Sequence, residues 1–460
     1  MKKITLVIAA LAACMIANAE IRVKPSEVTG TIKRMNAVNN GPSVARSDQT
    51  RGNFDEYKAL DIPFARTHDA SFSTVYGGPH TVDINQVFPD FNADVNDPAS
   101  YDFTHTDMYM QMLLAAGTKP FYRLGQAIEH LPKKYGVMPP ADFQKWAEIC
   151  EHIIRHYNYG WADGFEMGIE YWEIWNEPDL DLQVWETNPR CWGGPKELFF
   201  EFYETAAKHL DKCFPELKIG GPALAGNEQW ADEFLAYMQA HGVDLDFFSW
   251  HIYSTKATSI AKKAFRIKDM LIKYGYGNVE SILNEWNYVK GWQDEYVNSI
   301  RQINGMKGAA FTAATMQACQ EAPVDMLMYY DFRIGTIFNG AFDLYTLKPV
   351  KGYYPFYAWK KMREAGTAVK AESDDDSFYV TAARDAQGDV KVMITRFSPD
   401  NDDTATKVFS IRVEGAPDGE VVGHLIDDAH DFTEVTLEIK DGVMQAMLDP
   451  DSVLFLEVGM

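Results

Sequence analysis

Between residues 32 and 366 the chain alternates short, nearly continuous apolar runs with longer stretches in which apolar residues recur every three or four positions. Strands covered on both faces carry continuous apolar residues. The runs at 32–38, 62–67, 119–124, 171–176, 217–222, 246–252, 279–285 and 324–331 therefore predict eight strands. The stretches at 106–116, 142–156, 198–213, 228–241, 260–274 and 299–320 have the helical period. Pro and Gly punctuate the boundaries, as at Gly117, Pro139-Pro140, Pro215 and Gly275. Eight alternating units predict an α/β fold, a (β/α)8 TIM barrel. A doubly wound sheet gives the same alternation, so the choice also leans on where the chemistry falls. After Gly366 the period changes to two. An acidic, linker-like run, Glu372-Ser373-Asp374-Asp375-Asp376, precedes strands at 378–383, 390–397, 407–413, 421–426, 433–439 and 452–458. These predict a C-terminal antiparallel β-sandwich domain. The expected organisation is a signal peptide over 1–19, a barrel over 20–366 and a sandwich over 367–460.

The length of 460 residues accommodates a barrel with one appendage, and a hydrophobic fraction of 46% supports a large core. The net charge of −23 disfavours nucleic acid and anionic membranes as partners, because phosphate binding needs clustered Lys and Arg. Lys2 and Lys3, an apolar stretch over 4–16 too short to span a bilayer, and Ala17-Asn18-Ala19 form an export signal. The predicted location is periplasmic or secreted. Leu11-Ala12-Ala13-Cys14 resembles a lipoprotein box and gives the alternative of an outer-membrane anchor. Cys150, Cys191, Cys213 and Cys319 contain no C-x-x-C pair, which argues against a zinc cluster. Cys150 and Cys213 lie in helical patterns, where buried free thiols are usual. His68-Asp69 and His80-x-x-Asp83 could suggest metal ligands, but their spacing is not diagnostic. No metal or cofactor is expected, and no phosphate-loop or serine-nucleophile motif occurs.

The strongest chemical signal is Tyr171-Trp172-Glu173-Ile174-Trp175-Asn176-Glu177-Pro178, an apolar strand that ends in Asn-Glu-Pro. Pro178 stops the ladder and leaves Glu177 at the strand's C-terminal lip. Desolvation there raises a carboxyl pKa toward values suited to a general acid. Asn284-Glu285-Trp286-Asn287 ends another strand. The two acids belong to the fourth and seventh units, across the mouth of a barrel, where paired carboxyls can flank a glycosidic bond. Glu173, four residues before Glu177, is expected in the barrel wall beside a basic group. The loop over 76–102 is long enough to be functional and would sit on the C-terminal face.

These residues resemble glycoside hydrolase family 39, which includes β-xylosidases and α-L-iduronidases. Trp175-Asn176-Glu177-Pro178 looks like its acid/base motif. Arg66-Thr67-His68, Gly220-Gly221-Pro222-Ala223, Trp250-His251-Ile252-Tyr253, Asn284-Glu285-Trp286 and Tyr329-Tyr330-Asp331 match its other strand ends. In place of the family's usual Thr before the nucleophile stands Asn284, and Tyr330 stands where Trp is frequent. The resemblance implies a retaining, exo-acting, β-xylosidase-like hydrolase of oligosaccharides or polysaccharides, with Glu177 as acid/base and Glu285 as nucleophile. His251 and Tyr253 would flank the nucleophile; Arg66, His68 and Asn176 would bind the glycone; Trp175, Trp286 and Tyr330 would offer stacking faces. Arg123 ends the third strand and would line the pocket. The competing readings are a carbohydrate-binding protein on a decayed barrel, a transglycosylase and a metal-dependent hydrolase. More modestly, Arg66 could pair with a buried acid and His251 could be a core histidine.

Overall fold

The computed structural model describes residues 19–42, 52–70, 80–399 and 403–460. The export signal through residue 18, with Cys14, and residues 71–79 of the long second loop lie outside the described residues.

The first strand, β1 (Ala19–Thr31), belongs to the C-terminal sheet. The next eight close into a barrel: β2 (Arg34–Asn39), β3 (Phe64–Arg66), β4 (Lys119–Leu124), β5 (Tyr171–Ile174), β6 (Lys218–Leu224), β7 (Phe247–Ser254), β8 (Glu280–Tyr288) and β9 (Met326–Tyr329). All neighbours are parallel, and β9 pairs with β2 to complete the ring. The floor of the barrel is an apolar plug built from Ala37, Phe64, Phe121, Tyr171, Phe247, Ile282, Met326 and Met328. Between these bulky groups β6 contributes Gly220, where a Cβ would lie 2.3 Å from the Phe247 carbonyl oxygen. This is a packed core rather than a pore, and it leaves the C-terminal mouth to the polar residues.

The outer helices follow the pattern of their sequences. In Phe143–Tyr159 the buried positions Trp146, Ile149, Cys150, Ile153, Ile154 and Tyr157 form one stripe. Asp142 caps its start by accepting from the Lys145 N–H, and Gly160 ends it in the left-handed conformation at φ 72°. The helix expected over 299–320 is two helices, Tyr296–Ile303 and Met306–Gln320, interrupted at Asn304-Gly305. The second is buried on every side, because it lies between the barrel and the C-terminal sheet. Its small residues allow this, and Gln317 and Lys307 use their polar ends on the sheet domain, donating to the carbonyls of Met393 at 2.7 Å and Ser398 at 2.5 Å.

The C-terminal domain contains β10 (Thr367–Ser373), β11 (Phe378–Arg384), β12 (Val390–Arg396), β13 (Lys407–Val413), β14 (Gly419–Ile426), β15 (Asp431–Ile439), β16 (Met444–Leu448) and β17 (Ser452–Val458). With β1 they form one sheet in the order β15-β14-β17-β12-β11-β10-β1-β13-β16. Residues from both ends, such as Leu437 on β15 and Met444 on β16, share one core with Ile21, Ile394 and Leu456, so the sheet folds over itself as a sandwich.

Two expectations change. The boundary at 20–366 assigned the N-terminal segment to the barrel, but β1 sits between β10 and β13, antiparallel to the first and parallel to the second. Its Ala19, Ile21 and Val23 alternate inward with Glu20, Arg22 and Lys24 outward, the pattern of a strand with one covered face. The acidic run is not a linker throughout: Glu372 and Ser373 finish β10, and Asp375 accepts from the Ser377 N–H in the turn that follows.

Candidate active site

The mouth of the barrel carries a buried polar layer directly above the apolar plug. At its centre is Arg66, the last residue of β3, with its side chain fully buried. Its Nε donates to Glu173 at 2.6 Å, one terminal nitrogen donates to Glu285 at 2.8 Å and Asn39 at 3.2 Å, and the other to Asn176 at 2.7 Å. Glu173 also accepts from Ser249 at 2.6 Å and from the Asn284 amide. A buried charge is tolerated when it is paired and its hydrogen-bonding capacity is used. Here one guanidinium serves two carboxylates, and Glu173 is satisfied from three strands.

Glu177 and Glu285 rise above this layer. Backbone conformation places Glu177: β5 ends at Ile174, and Trp175 and Glu177 both adopt positive φ, 77° and 48°. Non-glycine residues adopt this region at a cost, typically at functional sites. The turn sends Trp175 outward against Trp192 and Phe202 and leaves Glu177 over the mouth, with its N–H bonded to the Ala223 carbonyl at 2.9 Å. For Glu285, the β8 ladder is irregular between Leu283 and Trp286. That irregularity lets Asn284 and Glu285 both point inward despite being adjacent.

The two carboxyls and His251 bring one oxygen or nitrogen each to within 4.8 Å of one another. His251 Nδ1 lies 2.8 Å from Glu177 and 3.6 Å from Glu285. The Tyr253 hydroxyl donates to Glu285 at 2.8 Å. Burial pushes Glu177 up to about 8, with the nearby Asp179 charge adding to the rise. Burial also raises Glu285, to about 7, against the lowering effect of His251 and Arg66. Burial lowers His251 to about 4, so its imidazole is neutral near pH 7. Arg66 and Tyr253 donate to Glu285 rather than to Glu177, which favours the charge on Glu285 and the proton on Glu177.

One side of the cleft is closed by a cluster around Asp69. Its carboxylate accepts from the Tyr330 hydroxyl, and the ring nitrogens of His68 and His80 each lie 3.6 Å from it. Arg333 donates to the Asp69 carbonyl at 2.8 Å. Burial opposes ionisation of Asp69, but His68, His80, Arg333 and Tyr330 outweigh it and hold the carboxyl well below its usual range. His68 also lies 3.8 Å from Glu285. On the other side of Glu285, Trp292 packs edge-on against Tyr253 with centroids 5.0 Å apart and is 59% exposed.

Several expected contacts take a different form. Arg66 is wholly engaged beneath the carboxylates, so it acts through them rather than on a ligand. Arg123 is fully buried and donates to Asp83 at 2.6 Å and to the His68 carbonyl at 2.7 Å, supporting the loop after β3 from below. Trp286 points out of the barrel, against Tyr329 and Phe311, because it follows the inward Glu285; it offers no stacking face. Trp175 also offers none, because its positive-φ turn packs it against Trp192 and Phe202. Asn176 keeps its Nδ2 buried without a partner among the described residues, beside the two acids. Asp69, His80, Asp83 and Trp292 had no chemical signal in the sequence beyond the metal-like spacing of the first three. Their partners lie up to 264 residues away, as with Arg333 and Asp69.

The fold is thus a TIM barrel with two acidic residues, one just past a strand and one near the end of another, facing one another at its mouth. The chain belongs to the glycosyl hydrolases family 39, whose profile matches residues 64–336. It is 31% identical to a β-xylosidase of Geobacillus stearothermophilus over 54% of each chain. It is 27% identical to a β-xylosidase of Caldicellulosiruptor saccharolyticus over 60% of each chain. The matched segment thus spans little more than half the length of these relatives. The crystal structure of a glucosidase from Croceicoccus marinus superposes with a TM-score of 0.76 over 97% of this chain and 99% of that one, at 21% identity. That likeness extends the shared fold to the C-terminal sheet.

Proposed function

We propose that the protein is a retaining, exo-acting glycoside hydrolase of the β-xylosidase kind. The observation that carries this reading is the approach of Glu177 and Glu285 to within 4.8 Å in one buried cleft. Retaining enzymes hold their carboxyls about 5–5.5 Å apart, whereas inverting ones leave about 6.5–9.5 Å for a water. Glu177, protonated and desolvated, gives its proton to the departing oxygen. Glu285, held anionic by Arg66 and Tyr253, attacks the anomeric carbon to form a covalent glycosyl-enzyme. Glu177 then takes a proton from the water that hydrolyses it. The neutral His251 sits within hydrogen-bond reach of Glu177 through both steps.

Asn176 Nδ2 is a donor for a glycone hydroxyl, and Asp69 and Tyr330 offer further polar atoms. The cluster of His80, Tyr330 and Arg333 around Asp69 walls one side of the cleft, which supports exo action. A second carboxylate in that pocket suits a neutral pentose better than a uronate. Trp292 presents an aromatic face to the leaving sugar. The N-terminal segment supports export to the periplasm or medium, which N-terminal sequencing of the mature chain tests.

The test is product analysis on aryl glycosides and xylo-oligosaccharides with wild type, Glu177→Gln and Glu285→Gln. Release of single terminal xylose units by wild type, lost in Glu285→Gln, is expected. Unchanged binding with no turnover of any glycoside in all three proteins would instead favour a binding protein.

A further inference from the structure

A second group of donor atoms lies on the outer helical shell, away from the mouth. His209 and Cys213 stand four residues apart on the helix Lys196–Cys213, so both side chains share one face. Glu151 reaches them from the neighbouring helix Phe143–Tyr159. One donor atom of each residue lies within 4.8 Å of the other two. His209 Nε2 is 2.7 Å from Glu151 Oε2, and Cys213 Sγ is 3.8 Å from the same nitrogen. None of the three takes part in the chemistry at the mouth.

We propose that Glu151, His209 and Cys213 form a zinc site that clamps these two helices together. Tetrahedral zinc with bonds of about 2.0–2.3 Å places nitrogen and sulfur ligands about 3.6 Å apart, and nitrogen and oxygen ligands about 3.4 Å apart. The sulfur–nitrogen separation of 3.8 Å already fits, and the His209–Glu151 pair has to open by about 0.7 Å. The mixed N, O and S donor set suits zinc.

The surroundings are those of a metal ligand's outer shell. Arg155 donates to Glu151 Oε1 at 2.7 Å, leaving Oε2 for the ion. Gln144 lies 3.0 Å from His209 Nδ1. With its amide turned, Gln144 accepts from Nδ1–H and frees the Nε2 lone pair, as ligating imidazoles require. Glu151 and His209 keep about 15% of their side-chain surface exposed, which provides an entry path. On binding, the Cys213 thiol loses one proton to the buffer as the sulfur–zinc bond forms, while the His209 proton stays on the ring at Nδ1. Thiolate and carboxylate together neutralise the ion, and a water supplies the fourth ligand.

The test uses the full chain, freed of metal by chelator dialysis, with zinc alone as ligand in calorimetry and cobalt(II) as the spectroscopic probe. One zinc per chain, release of one proton, and a sulfur-to-cobalt charge-transfer band in the near ultraviolet are expected. His209→Gln and Cys213→Ala each weaken zinc at least tenfold, the second abolishes the band, and Glu177→Gln leaves both unchanged. Zinc binding indifferent to His209→Gln and Cys213→Ala, binding lost in Glu177→Gln, or no saturable binding would each overturn the proposal. In those cases Glu151 and His209 form, with Arg155, only a hydrogen-bonded His–Glu–Arg pairing with the Cys213 thiol beside it.

Discussion

Arg66 touches both Glu173 and Glu285, and of the two mouth carboxyls it pairs with Glu285, where it favours the charged form. Turnover by double displacement needs Glu177 protonated and Glu285 ionised. With burial raising them to about 8 and about 7, kcat/KM follows a narrow bell. It rises as Glu285 loses its proton and falls as Glu177 loses its own. Tyr253→Phe removes a donor to the charged form of Glu285, so the acidic limb moves to higher pH and the window narrows; pH profiles on an aryl glycoside check this. Glu177→Gln lowers kcat/KM by about 10²–10⁴-fold on oligosaccharides, and far less on glycosides whose leaving groups need no proton. The same substitution has a stability signature. A carboxyl raised from 4.5 to about 8 contributes stability below 4.5 that is lost as pH rises through 8. Glu177→Gln is therefore stabilising relative to wild type at pH 8–9, on the order of 1–3 kcal/mol, with the difference fading by pH 4. Denaturant unfolding at the two pH values measures it.

At the scale of elements, the barrel strands were legible because strands covered on both faces carry unbroken apolar runs. Three strand assignments, 119–124, 407–413 and 452–458, match the observed spans to the residue. Asn-Glu-Pro marked Glu177 as lying just past a strand end, but the ladder stops earlier, at Ile174, and the turn through Trp175 places the side chain. What period alone does not encode is an irregular strand. Strict alternation cannot bring both Asn284 and Glu285 inward, and the outward turn of Trp286 follows from the local shift in β8. Trp286→Phe accordingly leaves KM within about twofold while costing stability through lost packing. Gly220 was visible as part of a family-like motif, but its physical reason appears only with Phe247 across the barrel floor. Gly220→Ala sets a Cβ 2.3 Å from a carbonyl oxygen and is expected to cost about 1–3 kcal/mol or more, read from the shift in the denaturation midpoint.

For the molecule as a unit, the two domains are joined both by packed helices and by a shared strand. The helix Met306–Gln320 is covered by the barrel on one side and the C-terminal sheet on the other, and β1 enters the middle of that sheet before the barrel begins. The sequence hid the shared strand because the partners of β1 lie hundreds of residues away; Ile21 pairs with Ser373 and Ala19 with Phe409. Deleting residues 20–31 splits the sheet between β10 and β13 and exposes the sandwich core. A marked fall in thermal midpoint and loss of soluble yield are expected, although no mouth residue is touched. The asymmetry of the cleft, lined by the Asp69 cluster on one side and by Trp292 on the other, is also a property of the assembled loops and is what the proposed exo action rests on.

Double displacement, as proposed, needs Glu177 and Glu285 to act together. Proton NMR of the first sugar released from a β-configured substrate, recorded before mutarotation, tests it most directly. The β-anomer is expected as the first product from wild type, with no release by Glu285→Gln. Appearance of the α-anomer first would mean a single displacement by water and would contradict the role given to Glu285.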